Sequence, residues 1–191
     1  MANRCYTTYK VTGSRENVTK LWEHIRAFDE NKKKVWLCDL ADAFCIDWEK
    51  KGISVAGWIE WAEYEEEANL LSFETDTKWN ACEILFEQIN KCFDDNLSIS
   101  YREIECGCEI FYVHDEGCYF PEEACVSSGG GPFEEACEDV YATVDDAINE
   151  WCKKMNFDRG EKSEEEMLAL IKEFVYEDEC TYFYINKFIF E

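Results

Sequence analysis

The middle of the chain holds thiols and an imidazole, which are residue types that bind zinc. Cys106 and Cys108 are followed by His114, Cys118 and Cys125. Zinc prefers four such ligands. However, Cys-x-Cys within a strand sends both side chains to one face, and the chain contains no Cys-x-x-Cys pair. We therefore interpret these residues as ordinary reduced cysteines, and we predict no metal and no cofactor.

Two carboxylates at strand spacing are a second candidate for chemistry. Glu74 and Asp76 fall on one face of a predicted strand, and glycoside hydrolysis uses such a pair. Lys78 continues the same series, which favours a solvated polar face instead. The two histidines, His24 and His114, leave little material for acid–base catalysis. We therefore predict no catalytic residue, and a metal-dependent or hydrolytic enzyme is kept as the alternative.

Two further stretches have residue types that could bind phosphate or nucleic-acid bases. Residues 77–80 (Thr-Lys-Trp-Asn) lie at a strand-to-helix turn, where backbone amides can bind an anion. No glycine-rich loop accompanies them, so we expect their tryptophan to fill the edge of the core and their asparagine to cap the helix. Trp58, Trp61 and Tyr64 could stack on bases, but the glutamates around them argue against that role.

Net charge is the strongest global feature of the sequence. The chain has 43 acidic and 19 basic residues, a formal net charge of −24, and −15 of this lies in residues 114–191. Neutralising phosphates requires lysine and arginine, so the charge argues against direct binding to nucleic acid or to an anionic membrane. It is compatible with a basic protein partner, and the alternative is that it only increases solubility.

Two clusters of carboxylates are the predicted partner-binding residues. Because a screened charge acts over only about 8–10 Å at ordinary salt, charges must be clustered to produce a strong local field. We expect both clusters to be exposed. The hairpin cluster is Glu63, Glu65, Glu66 and Glu67, and the second cluster, which follows a glycine stretch, is Glu134, Glu135, Glu138 and Asp139.

Length and composition indicate a folded protein. A chain of 191 residues with 47% hydrophobic residues can bury one core, or a core domain with a small appendage. No apolar run reaches membrane-spanning length, and the first ten residues lack the apolar segment of a signal peptide. We therefore predict a cytoplasmic protein whose 12 cysteines are reduced.

Residues 73–101 form the predicted centre of the fold. Polar and apolar residues alternate at both ends of this segment, as in strands with one solvated face. Between the two strands, Asn80 is positioned to cap a helix. An apolar stripe at helical spacing follows, and it consists of Cys82, Leu85, Phe86, Ile89, Cys92 and Phe93.

The elements around this centre complete a split βαβ arrangement. The sequence predicts strands at residues 5–12, 53–64, 70–77, 97–102 and 108–113, with one helix after Ser14 and another after Asn80. The predicted fold class is therefore α+β. Residues 1–113 are expected to form a ferredoxin-like antiparallel sheet with its helices on one face.

The remainder of the chain is predicted to be an acidic α+β extension. Residues 114–132 include Ser-Ser-Gly-Gly-Gly-Pro, which is typical of a flexible connection. Residues 133–191 are expected to be helical and to pack on the core, and Ser163 with Glu166 forms a capping box. Residues 181–190 are predicted to be a closing strand that is apolar on both faces, and therefore covered or paired.

The segments NRCYTTYKVTG, TDTKWNA and SISYREIECG carry a resemblance to a known family over residues 1–113. They resemble the Api-ninety-two-like proteins, an uncharacterised ferredoxin-like family of phages and plasmids. That family has Asn-Trp-Cys near its start, Gly-Thr-Lys-Trp-Asp-Ala before the second helix and Tyr-x-Glu after it. The matching residues are Asn3, Cys5, Thr77, Lys78, Trp79, Ala81, Tyr101 and Glu103, and the departures are Arg4, Asp76 and Asn80. The resemblance implies a fold and a mobile-element context, without a catalytic residue.

Charge and resemblance together predict an acidic interaction protein of a mobile element. Such a protein would present carboxylates to a basic surface, and it could inhibit a host nucleic-acid-binding defence protein by mimicking phosphates. The alternatives are a metal-dependent or hydrolytic enzyme and a housekeeping structural domain without a special partner.

Overall fold

A computed structural model describes residues 3–29 and 34–191 of the chain. The chain is an α+β protein, as predicted. It divides into two units: the first ends at Tyr119 and also includes Glu191, and the second is Phe120–Phe190. Within the described residues, no helix is both long enough and apolar enough to cross a membrane.

The first unit contains an antiparallel sheet with helices. Its elements, as far as the chain is described, are β1 (Arg4–Gly13), α1 (Arg15–Asp29), β2 (Val35–Trp36), α2 (Leu37–Ala43), α3 (Trp48–Lys51), β3 (Gly57–Glu65), β4 (Leu70–Lys78), α4 (Glu83–Lys91), β5 (Leu97–Glu105) and β6 (Ile110–His114). The strands lie in the order β6, β5, β1, β4, β3, β2, and each neighbouring pair is antiparallel. β1 is central, since Thr7 pairs with Thr75 of β4 and with Glu103 of β5.

The two faces of β1 differ in burial. Cys5, Thr7, Tyr9 and Val11 are buried, and the residues between them are partly exposed. The predicted alternation of this strand is therefore confirmed. It explains why the segment is a strand rather than a helix, because only a period of two places these four side chains on one face.

Helices α1, α2 and α4 pack against this buried face and form one hydrophobic core with it. The ring of Phe86 on α4 lies 4.5 Å from that of Tyr9 and 5.2 Å from that of Phe73, measured between centroids. Each fully buried side chain of this size contributes about 1.5–3 kcal/mol to folding. Of the predicted apolar stripe of α4, Cys92 is exposed and the other members are buried.

The turn from β4 into α4 differs from the prediction in two ways. Asn80 is not the N-cap: Cys82 holds that position, with φ of 56°, and Asn80 Oδ1 accepts a hydrogen bond from the Cys82 N–H at 3.2 Å. Trp79 has φ of 78° and is 56% exposed. The prediction that Trp79 fills the edge of the core is therefore wrong, because this left-handed backbone conformation redirects the side chain.

Two strands of the first unit begin later than predicted. β3 starts at Gly57, and it has a bulge between Ile59 and Trp61. A Cβ at Gly57 would collide with the Asp76 carbonyl oxygen, so the close approach of β4 requires glycine there. Residues 106–109 form a turn, and β6 therefore begins at Ile110.

The second unit has its own sheet and core. Its elements are β7 (Ala124–Gly129), β8 (Ala136–Tyr141), α5 (Val144–Met155), α6 (Glu164–Glu173), β9 (Tyr182–Lys187) and β10 (Ile189–Phe190). β7 lies between β8 and β9 and is antiparallel to both. Trp151 of α5 is fully buried in this core, and the predicted capping box of Ser163 and Glu166 starts α6.

The region predicted to be a flexible connection, residues 114–132, contains the central strand of this sheet. All six residues of β7 are buried, and a Cβ at Gly129 would lie 2.8 Å from the ring of Tyr182. This close approach requires glycine at position 129. The predicted closing strand is interrupted at Phe188, and its first part, β9, is paired with β7.

Candidate partner-binding site

The hairpin cluster lies on the last residues of β3 and in the turn that leads to β4. Glu63, Glu65, Glu66 and Glu67 are all exposed, as predicted. The turn is anchored by Asn69, whose Oδ1 accepts a hydrogen bond from the Tyr64 hydroxyl at 2.9 Å and whose Nδ2 donates to the Gly13 carbonyl at 2.9 Å. The carboxylates therefore project from a fixed backbone.

The second cluster lies on β8 and on the loop before it. Glu134, Glu135, Glu138 and Asp139 are all exposed, as predicted. The loop is held near its end, where the Ser128 hydroxyl of β7 donates to the Glu134 carbonyl oxygen at 2.9 Å. The hairpin cluster belongs to the first unit and the second cluster to the second unit.

A cavity of about 180 Å³ brings two members of the second cluster together. Its lining consists of Ser128, Phe133, Glu134, Asp139, Tyr141, Glu150, Lys154 and Phe183. Burial, followed by the charges of Glu150 and Asp139, raises the pKa of Tyr141, so its hydroxyl stays protonated and can donate a hydrogen bond. Aromatic rings beside carboxylates suit a cationic side chain with an apolar stem.

The cysteines that could have bound zinc do not form a metal site. Cys106 and Cys108 lie in the turn before β6, Cys118 is exposed and Cys125 is buried in β7. Within residues 3–29 and 34–191, no three histidine, cysteine or acidic side chains converge in a geometry that could hold a metal ion. The hypothesis of a metal-dependent enzyme therefore gains no support from these residues.

The other residues considered for chemistry have structural contacts. Asp76 forms an ion pair with Arg4 and is buried, so the prediction of a solvated face is wrong at this residue. A buried carboxylate that is paired with Arg4 is also not poised as half of a catalytic pair with Glu74. The ring of Trp58 already contacts two cations: Arg4 Cζ lies 4.4 Å and Lys34 Nζ 3.8 Å from its centroid. These contacts compete with base stacking on Trp58.

Several residues that carry the family resemblance form one buried hydrogen-bond network. Cys5 Sγ donates to Glu103 Oε1 at 3.5 Å, and the Ala81 N–H donates to the same oxygen at 3.1 Å. Thr77 Oγ1 donates to the Cys5 carbonyl oxygen at 3.2 Å. Burial is the largest cause that raises the pKa of Glu103. The network ties β1, β4, β5 and the start of α4 together, so these residues have a structural role.

The burial of Glu103 was not predicted, although the sequence contains a pattern that indicates it. Leu97, Ile99 and Tyr101 alternate on the inner face of β5, and Glu103 is the next residue in that series. A carboxylate that follows an apolar series in this way points toward the core. Its hydrogen bonds with Cys5 and Ala81 offset the cost of burying it.

All 12 cysteines are free in the structure, and we expect them to be free thiols in solution. A thiol titration of unfolded protein, prepared without reductant, should count nearly 12. In the folded protein, Cys5 should react last, because burial raises the pKa of its thiol to about 12 and little thiolate forms at pH 8. Exposed Cys45 and Cys108 are the internal controls. A count near zero, or Cys5 reacting as fast as Cys45, would contradict this prediction.

The chain was also compared with known proteins. No family model, curated protein or solved structure matches it. The resemblance of residues 1–113 to the Api-ninety-two-like proteins therefore stays a prediction that rests on the matching residues alone.

Proposed function

We propose that this chain is an acidic interaction protein that binds a basic surface of a protein partner. The main support is the exposure of all eight predicted carboxylates on anchored backbone. A rigid arrangement of like charges gives electrostatic complementarity without a large ordering cost on binding. The cavity beside Glu134 and Asp139 adds a place where one cationic side chain of the partner can insert.

We also propose that the first unit has a ferredoxin-like fold. The support is the strand order: β5, β1, β4 and β3 are neighbours in that sequence, and a split βαβ unit with two helices connects them. β2, β6, α2 and α3 are additions to this arrangement. The fold implies no activity by itself.

The proposed setting is a mobile element, with the protein acting in the cytoplasm. The resemblance of residues 1–113 supports the setting, and the 12 free thiols are compatible with a reducing compartment. The partner proposed for it is a host nucleic-acid-binding protein of a defence system, which the carboxylates would inhibit by mimicking phosphates. With a formal net charge of −24, direct binding to nucleic acid or membrane is not part of the proposal.

Changing either carboxylate cluster to lysine is expected to reduce capture of this partner. Since clustered charge accelerates association about tenfold or more, a four-residue reversal should reduce capture from host lysate at low salt by about that factor. Capture by the unaltered chain should fall steeply with added salt. The captured protein is identified by mass spectrometry, and its association rate is then measured with purified components.

The matched control reverses the same number of charges elsewhere in the second unit. Glu161, Glu173, Glu177 and Glu179 are exposed, and changing these four to lysine should leave capture nearly intact. If all variants capture the same partner equally well, and added salt does not reduce this capture, the proposal of electrostatic recognition by these clusters is wrong. Equal losses in the control and the cluster variants would show that only the total charge matters.

A further inference from the structure

A second cavity, of about 270 Å³, lies within the first unit. α4 contributes Glu83, Phe86 and Glu87 to its lining, β5 contributes Tyr101, and His114 and Glu116 lie at and just beyond the end of β6. The volume is slightly below the range of roughly 300–1,000 Å³ that is usual for drug-sized ligands. The cavity therefore has room for a single side chain or a similarly small molecule.

The acidic groups of this cavity are only partly compensated. Glu83 and Glu87 are four residues apart on α4, and within the described residues neither side-chain carboxylate has a hydrogen bond or an ion pair. Like charges at this spacing destabilise a helix by about 0.2–0.5 kcal/mol. Glu116 has one oxygen 3.9 Å from His114 Nε2, and its other oxygen accepts from the Ser98 hydroxyl at 2.9 Å.

Aromatic rings form the wall beside these carboxylates. The centroid of the Tyr101 ring lies 5.6 Å from that of His114 and 5.6 Å from that of Tyr9. Burial, together with nearby Tyr112 and the negative charges of Glu83, Glu103 and Glu87, raises the pKa of Tyr101. Its phenol thus stays protonated, and Tyr101 lines the cavity together with the carboxylates.

We propose that this cavity binds a guanidinium group. A guanidinium is planar, stacks on aromatic faces and donates five hydrogen bonds that match carboxylates, whereas an ammonium is a compact, strongly hydrated charge. A metal ion suits the cavity less well, because its carboxylates and His114 do not converge as ligands in the described structure. Binding places a cation between Glu83 and Glu87 and removes their mutual repulsion.

The guanidinium can belong to a free small molecule or to an arginine side chain of a protein. Two probes separate these sources: agmatine, and a capped peptide with one arginine between serines and glycines. The assignment goes beyond the proposed function, since neither carboxylate cluster of that function lines this cavity. Small probes also make its failure distinguishable from a failure to capture a protein partner.

The test is a titration of the full chain with each probe, in which binding is monitored by the chemical shifts of the backbone amides in NMR spectra. We expect saturable binding, with the largest shifts around Glu83, Glu87 and Tyr101. Each hydrogen bond to a charged group changes affinity by about tenfold, so Glu83→Gln and Glu87→Gln together should weaken binding about a hundredfold. Tyr101→Phe keeps the ring and should retain most of the affinity, whereas Tyr101→Leu should lose it.

The control variant is Glu16→Gln with Glu23→Gln, which removes two exposed charges from α1 of the same unit. It should bind the probes as the unaltered chain does. Tighter binding of the peptide indicates a protein source, and tighter binding of agmatine indicates a small molecule. The proposal is overturned if neither probe saturates, if the lysine version of the peptide binds equally well, or if the Glu83/Glu87 variant binds unchanged.

Discussion

Replacing Phe86 with alanine is expected to lower the free energy of unfolding of the first unit by about 3–5 kcal/mol. Phe86 is only 2% exposed and packs on the rings of Tyr9 and Phe73. Its removal loses the transfer free energy of the ring and leaves a cavity between α4 and the sheet. The loss is measured from denaturant midpoints, and faster hydrogen exchange of β1 amides assigns it to this unit.

The same helix provides the control for this prediction. Ile84 is 50% exposed, and Ile84→Ala should change stability by less than about 0.5 kcal/mol, as surface substitutions usually do. If Phe86→Ala changed the free energy of unfolding as little as Ile84→Ala, Phe86 would not pack on the sheet as described. Both substitutions place alanine in the same helix, so the two variants differ in helix propensity by only about a few tenths of a kcal/mol.

Replacing Trp151 with alanine should have an effect of similar size on the second unit. Trp151 is fully buried, with the rings of Phe157 and Phe174 each 5.2 Å away. Its indole N–H donates to the Tyr176 hydroxyl at 2.8 Å. We expect a loss of about 3–5 kcal/mol, measured from denaturant midpoints and hydrogen exchange of β7 amides.

Two further variants separate the components of this effect. Trp151→Phe retains a ring but leaves the Tyr176 hydroxyl without its donor, so its loss should be intermediate. Val175 is 88% exposed, and Val175→Ala is the neutral control. A Trp151→Ala protein with unchanged exchange in β7 would show that this tryptophan does not hold the second unit together.

Periodicity made much of the first unit predictable. Cys5, Thr7, Tyr9 and Val11 alternate with polar residues in the sequence, and the structure buries that set. The stripe of α4 was equally clear, because Leu85, Phe86 and Ile89 repeat at helical spacing. These patterns can be read from neighbouring residues, because they arise from the burial of one face of a single strand or helix.

The errors occur where tertiary contacts override local composition. Ser127, Ser128 and Gly129 suggest a flexible segment, yet they form a buried strand, because β8 and β9 pair on both sides of it. Trp79 is hydrophobic but exposed, because its backbone adopts positive φ. Neither the pairing partners of β7 nor that φ value can be deduced from neighbouring residues.

The candidate sites were predictable to different degrees. Charge density alone identified Glu63 and Glu134 as exposed, since runs of carboxylates are rarely buried. The cavity of Glu83 and Tyr101 combines residues from α4, β5 and β6, and only the fold brings them together. The sequence contained one signal for this site, which is the i,i+4 spacing of Glu83 and Glu87 on one helix. Two like charges at this spacing destabilise a helix unless a cation compensates them.

The central position of β1 also matters for synthesis in the cell. Within the described residues, Thr7 pairs with Thr75 of β4 and Glu103 of β5. Both of these strands leave the ribosome much later than β1. At about 5–20 residues per second, roughly 5–20 s pass between the translation of β1 and that of β5. The nascent strand has no sheet partner until β4 is made and lacks its second partner until β5 is made. In the first part of this interval the ring of Tyr9 and the thiol of Cys5 are therefore open to chaperones and to oxidants.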